Sequence, residues 1–109
     1  MSYAVRIHPA AAQDFEEQFD YIAQRSLEGA LRWEDAFEAM KARLAENPMI
    51  YGPALEEPWL RRGLRSAPFK TTQGNTYLAV YLVEDDEVTI LRIRGHGQPP
   101  LQAEELAEP

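Results

Sequence analysis

A chain of 109 residues with a net charge of −7 and no cysteine is one domain, with room for a single modest core and none for a second. The missing thiols exclude disulfides and thiolate metal sites and fit a reducing compartment, and the acidic balance argues against a general affinity for nucleic acid or anionic membranes. There is no charged leader followed by an apolar run, and no stretch of about 18 consecutive apolar residues, so a soluble cytoplasmic protein is expected.

Tyr3, Val5 and Ile7 alternate with Ala4, Arg6 and His8, the period of a strand with one buried face. Pro9 ends that strand and suits the opening of a helix, where its missing N–H costs nothing. From Ala10 the period becomes helical, with Phe15, Phe19 and Ile22 on one side and Glu16, Glu17 and Asp20 on the wet side. Ser26 and Gly29 mark a break, and Ser26 is the expected N-cap of a second helix. Ala30, Trp33, Phe37, Met40 and Leu44 form its apolar stripe, and Asn47-Pro48 stops it. So short a connection folds the two helices into an antiparallel hairpin.

Pro48, Gly52, Pro53 and Pro58 punctuate residues 48–60, which predicts an irregular loop. Three strands follow, over 64–69, 76–84 and 87–94, with Gln73-Gly74-Asn75 in one turn and Glu84-Asp85-Asp86-Glu87 at a hairpin tip. Residues 99–109 read as a polar tail behind Pro99-Pro100, with a helical turn near 103–106. The predicted fold is α+β in two layers: an N-terminal strand, then an antiparallel helix hairpin packed on a mainly antiparallel sheet, in the order β-α-α-β-β-β.

Charge is distributed unevenly along this order. Residues 1–60 hold eleven acids against five bases, whereas 61–83 hold Arg61, Arg62, Arg65 and Lys70 and no acid. Val88, Ile90, Leu91 and Ile93 are the apolar residues of the last strand, with Leu91 and Ile93 expected in the core while Arg92 and Arg94 point together to the other side. Arg65, Lys70, Arg92 and Arg94 converging on one face would hold a phosphodiester and stabilise charge developing on it; the alternative is a solvated face with each arginine paired to an acid. His96, between Gly95 and Gly97, has the pKa range of a general acid or base, or is simply exposed. Tyr77 and Tyr81 lie opposite Leu78, Val80 and Leu82, placed either to stack a base or to pack half-buried. Two histidines are too few for a histidine metal site, and no phosphate-cradling glycine loop occurs, so neither metal nor cofactor is expected.

The chain resembles the RelE/ParE superfamily of type II toxin–antitoxin modules, particularly its ParE-like plasmid-stabilisation branch. The likeness runs from about Val5 to Leu101. It rests on Ala12-Gln-Asp-Phe-Glu-Glu-Gln-Phe-Asp-Tyr-Ile-Ala23, Ala30-Leu-Arg-Trp33, Leu44-Ala-Glu-Asn-Pro48 with Gly52, Gly63-Leu-Arg65, Tyr77-Leu-Ala-Val-Tyr81 and Ile90-Leu-Arg-Ile-Arg-Gly-His-Gly-Gln98. The resemblance implies a toxin neutralised by a cognate antitoxin. ParE-like members poison DNA gyrase by protein contact, and RelE-like members cut messenger RNA on the ribosome.

In the nuclease reading, Arg65, Lys70, Arg92, Arg94 and His96 correspond to catalytic positions, although Gly95 intervenes where many relatives have His-Gly directly after the arginine strand. The acidic balance and the scarcity of lysine favour the ParE-like reading. A third reading is an attenuated member that keeps only antitoxin binding. Arg61, Arg62, Arg65, Tyr77 and Tyr81 are the expected contacts to antitoxin or target.

Overall fold

The computed structural model describes residues 2–95 and 97–106. In chain order these form β1 (Ala4–Ile7), α1 (Pro9–Ala23), α2 (Leu27–Glu46), α3 (Glu57–Leu60), β2 (Arg65–Phe69), β3 (Tyr77–Glu84), β4 (Glu87–Arg94) and a 3₁₀ turn at Ala103–Glu105. The sheet order is β1-β4-β3-β2. Short connections make β2, β3 and β4 antiparallel, while β1, separated from β4 by both helices and two strands, pairs with it in parallel.

Both long helices start on a side-chain cap. His8 Nδ1 accepts the Ala10 N–H at 3.1 Å, and Ser26 Oγ accepts that of Gly29 at 2.9 Å, satisfying donors that the first helical turn leaves open. The α2 stripe of Ala30, Trp33, Phe37, Met40 and Leu44 is fully buried, as its spacing predicts. It meets Ala11, Phe15, Phe19 and Ile22 of α1 and the inner sheet face of Ala67, Phe69, Ala79, Tyr81, Val88, Ile90 and Ile93. Aromatic rings bind these layers: Phe15 lies 4.8 Å from Trp33 and 4.9 Å from Phe37, and Phe37 lies 5.3 Å from Phe69. Each such side chain contributes about 1.5–3 kcal/mol on burial.

The outer sheet face is covered as well. Val80, Leu82 and Leu91 pack against Ala54, Leu64, Leu101 and Leu106, with Leu60 beside them. Two segments therefore differ from expectation. The stretch over 48–60 contains a helical turn, α3, with Pro58 in its first turn and Arg61 closing it in the left-handed region at φ 51°. The segment read as a polar tail brings Leu101 and Leu106 under cover, each 6% exposed; its polarity is an average that hides two anchoring leucines.

Two irregularities shape the sheet. Val80 pairs with Arg92 and Tyr81 with Ile90, so Leu91 is an extra residue in a β-bulge. On the free edge, β2 carries Pro68, which has no N–H to offer, while Gly52 O accepts the Ser66 N–H at 3.3 Å and Pro53 bridges to Arg65.

Candidate functional site on the outer sheet face

The bulge decides which way the β4 side chains point. Residues opposite one another share a face: Arg92 faces Val80 and Arg94 faces Leu78 on the outer side, while Ile93 faces Ala79 on the inner side. Arg92 and Arg94 do share a face. Leu91, expected to join Ile93 in the helix-covered core, instead packs outside with Val80 and Leu82, because the extra residue resets the alternation.

Each arginine meets its own acid. β1 ends at Ile7, which leaves the flank of β4 beyond Ile90 to α1, and Asp14 takes that place. Its Oδ2 accepts the Ile93 N–H at 3.0 Å, and its two oxygens hold Arg92 Nε and Nη2 at 2.7 and 2.9 Å. Arg92 Nη1 also donates to Glu105 O at 2.9 Å. The hydrogen bonds to Asp14 outweigh burial and raise the Arg92 pKa further, so this guanidinium is always charged.

Arg94 is 12% exposed and lies 3.3 Å through Nε from Oε2 of Glu56, which is fully buried. This is an ion pair without an aligned hydrogen bond. The same Oε2 accepts the Leu101 N–H at 2.8 Å, so one carboxylate ties α3, β4 and the C-terminal segment together.

The neighbouring Glu57 gathers the basic turn. Its carboxylate accepts the backbone N–H groups of Arg62, Gly63 and Leu64 at 3.1, 2.9 and 2.8 Å. Burial pushes the carboxyl upward, but the three hydrogen bonds prevail and its pKa is lowered. Gly63 sits at φ 77°, a conformation open to glycine that lets successive N–H groups face one carboxylate. Arg61 is exposed beside this turn, and Arg62 Nη1 donates to Leu106 O at 3.3 Å.

The other candidate residues lie elsewhere. Arg65 pairs with Tyr81 across β2 and β3, on the inner side, and donates to Tyr51 O at 2.6 Å. Lys70 is exposed just past the end of β2. Arg65, Lys70, Arg92 and Arg94 therefore do not all share one face, because β2 turns Arg65 to the side opposite Arg92 and Arg94. His96 lies outside the described residues.

Tyr81, expected as a partner contact, is fully buried under the helices and donates its hydroxyl to Pro48 O at 2.6 Å. Burial, offset in part by Arg65, pushes its phenol up to about 12, which leaves it neither accessible to a partner nor ready to give a proton. Tyr77 remains half-exposed, edge-on to Trp33 at 5.3 Å. Burial and nearby Tyr21 raise its pKa, against a hydrogen bond with Gln18.

Sequence reasoning missed Asp14, Glu56 and Glu57. Asp14 had a signal, since it adjoins the buried stripe of Ala11 and Phe15. Glu56 had none, because only nonlocal packing buries it.

A family model described as the ParE toxin of the type II toxin–antitoxin system parDE matches residues 5–100. Among solved structures, the chromosomal ParDE toxin–antitoxin system from P. aeruginosa is similar, with a TM-score of 0.65 and 20% identity over 86% of this chain and 96% of that one. The RelBE2 toxin–antitoxin complex from Mycobacterium tuberculosis is similar at a TM-score of 0.52 and 23% identity, over 88% of this chain and 100% of that one. No curated protein matches. These likenesses establish the fold, and a family match that leaves out only the two ends of the chain establishes that the protein belongs to the ParE toxin family of type II toxin–antitoxin systems.

Proposed function

We propose that this toxin arrests growth by protein contact, with DNA gyrase as its target, and that a cognate antitoxin neutralises it. Family membership carries the toxin assignment. Contact rather than RNA cleavage is favoured by the state of the two outer arginines, since Arg92 is gripped by Asp14 and Arg94 is paired with buried Glu56. A scissile phosphodiester would have to displace a carboxylate from each before it could draw on their charge.

The antitoxin reading is supported by both solved relatives, which are toxin–antitoxin systems by description. Exposed Arg61 with Arg65 and half-exposed Tyr77 offers contacts to an acidic segment. Maintenance of a plasmid by such a pair belongs to the same proposal.

The test is induction in cells with and without the neighbouring reading frame, with pulse labelling of DNA, RNA and protein. Early loss of DNA synthesis, relieved by the neighbour, is the expected outcome, with purified protein inhibiting gyrase supercoiling. Translation failing first would point instead to ribosome-dependent cleavage, with Arg92, Arg94 and His96 as the residues to substitute. No arrest at all would leave an attenuated member.

A further inference from the structure

On the helix side, where the α1–α2 turn meets the β2–β3 turn, a cavity of about 260 Å³ opens between Tyr21, Arg25, Trp33, Thr71 and Tyr77. A second, of about 320 Å³, shares Tyr21, Asn75 and Tyr77 with it and continues past Gln18 and Gln98. The two adjoin at these shared residues as a trough, each part close to the lower end of the size range of small-molecule sites.

Three observations set its chemistry. First, among the described residues no acid lines either cavity, although the protein carries a charge of −7. Second, Arg25 is exposed beside the trough, and its one partner among the described residues is the Tyr21 ring, 5.0 Å below its guanidinium carbon. Third, Trp33 is 2% exposed, yet its Nε1 has no hydrogen-bond partner among the described residues. A buried donor left open is uncommon in a folded protein, and the indole that carries it is among the side chains lining the trough. Aromatic side chains, one cation and amide or hydroxyl groups on Asn75, Thr71 and Tyr77 surround a space that lacks a negative charge.

We propose that this trough binds a small aromatic carboxylate. The ring lies against Tyr21, Trp33 and Tyr77, and the carboxylate accepts from Arg25 and the polar rim. A single cation matches a monoanion. The positive end of α2, which opens at Ser26 in the lining, adds to the field. The site is separate from the outer arginine face and does not depend on the gyrase reading.

The probe is benzoate, titrated into the whole ¹⁵N-labelled chain while the two indole N–H resonances are followed. Trp59, which is 53% exposed and outside the trough, is the internal reference. The expected result is a saturable shift of the Trp33 resonance in the millimolar range with Trp59 unmoved. Benzamide, which keeps the ring without the charge, binds about tenfold more weakly, and Arg25→Gln weakens benzoate by a similar factor.

Joint drift of both indoles, no saturation, or equal binding of benzamide would overturn the assignment. Tetramethylammonium outcompeting benzoate would show an aromatic cage for cations instead. Tighter binding of N-acetyl-phenylalanine than of benzoate would mark a cradle for a chain terminus and reject the small acid.

Discussion

The two faces of the sheet are held by different physics. On the inner face, Phe15, Trp33, Phe37, Phe69 and Tyr81 are packed by two long helices, and the stabilisation scales with apolar area removed from water. On the outer face a short turn and a C-terminal segment supply fewer and smaller side chains, and its two arginines are held by acids, Arg94 by Glu56 at the start of α3 and Arg92 by Asp14 of α1. The inner face therefore responds to volume and the outer face to charge.

The largest effect should come from the inner side. Phe37→Ala removes a ring that contacts Phe15 and Phe69 and should cost about 3–5 kcal/mol, read by urea denaturation. A loss below about 1 kcal/mol would mean that the inner face is not the principal core.

On the outer side, Glu56→Ala leaves the largely covered Arg94 without its acid and should cost about 3 kcal/mol. Adding Arg94→Met should recover most of that loss, since an apolar side chain needs no counter-charge. If the double variant is no more stable than the single, the pair is not what joins these segments.

The smallest expected change is at Glu57. Its lowered carboxyl pKa means that its contribution is fully present above the unfolded value near 4.5 and is lost as pH falls through the lower folded value. Glu57→Gln should cost about 1 kcal/mol at neutral pH, because solvent screens this partly exposed carboxylate. The gap from the parent should close on acidification below about pH 4.5. A gap independent of pH would assign the effect to packing.

The same contrast explains what was legible in the sequence. The inner face is written in local periods: alternation marks β1, and the spacing of Trp33, Phe37, Met40 and Leu44 marks α2. The outer face is assembled from residues far apart in sequence. α3 has only four residues, too few to show a period, and Leu101 and Leu106 stand alone in a polar stretch. Ile90-Leu91, adjacent apolar residues inside an alternating strand, were the one local trace of the bulge. Of the candidate site, Arg92 and Arg94 sharing a face was readable from alternation, but their pairing with Asp14 and Glu56 was not, because a carboxylate's partner is set by tertiary approach. Tyr81 shows the converse error, since its face was identified but not the fact that helices cover it.

The blocked edge of β2 bears on how the protein survives in a crowded cell. A strand at the rim of a sheet is a template on which identical chains can stack into fibres. Here the Gly52–Pro53 segment occupies the start of that rim and Pro68 interrupts the remainder. Runaway self-association is thereby discouraged by the chain itself, whether or not any other protein is present to shield it.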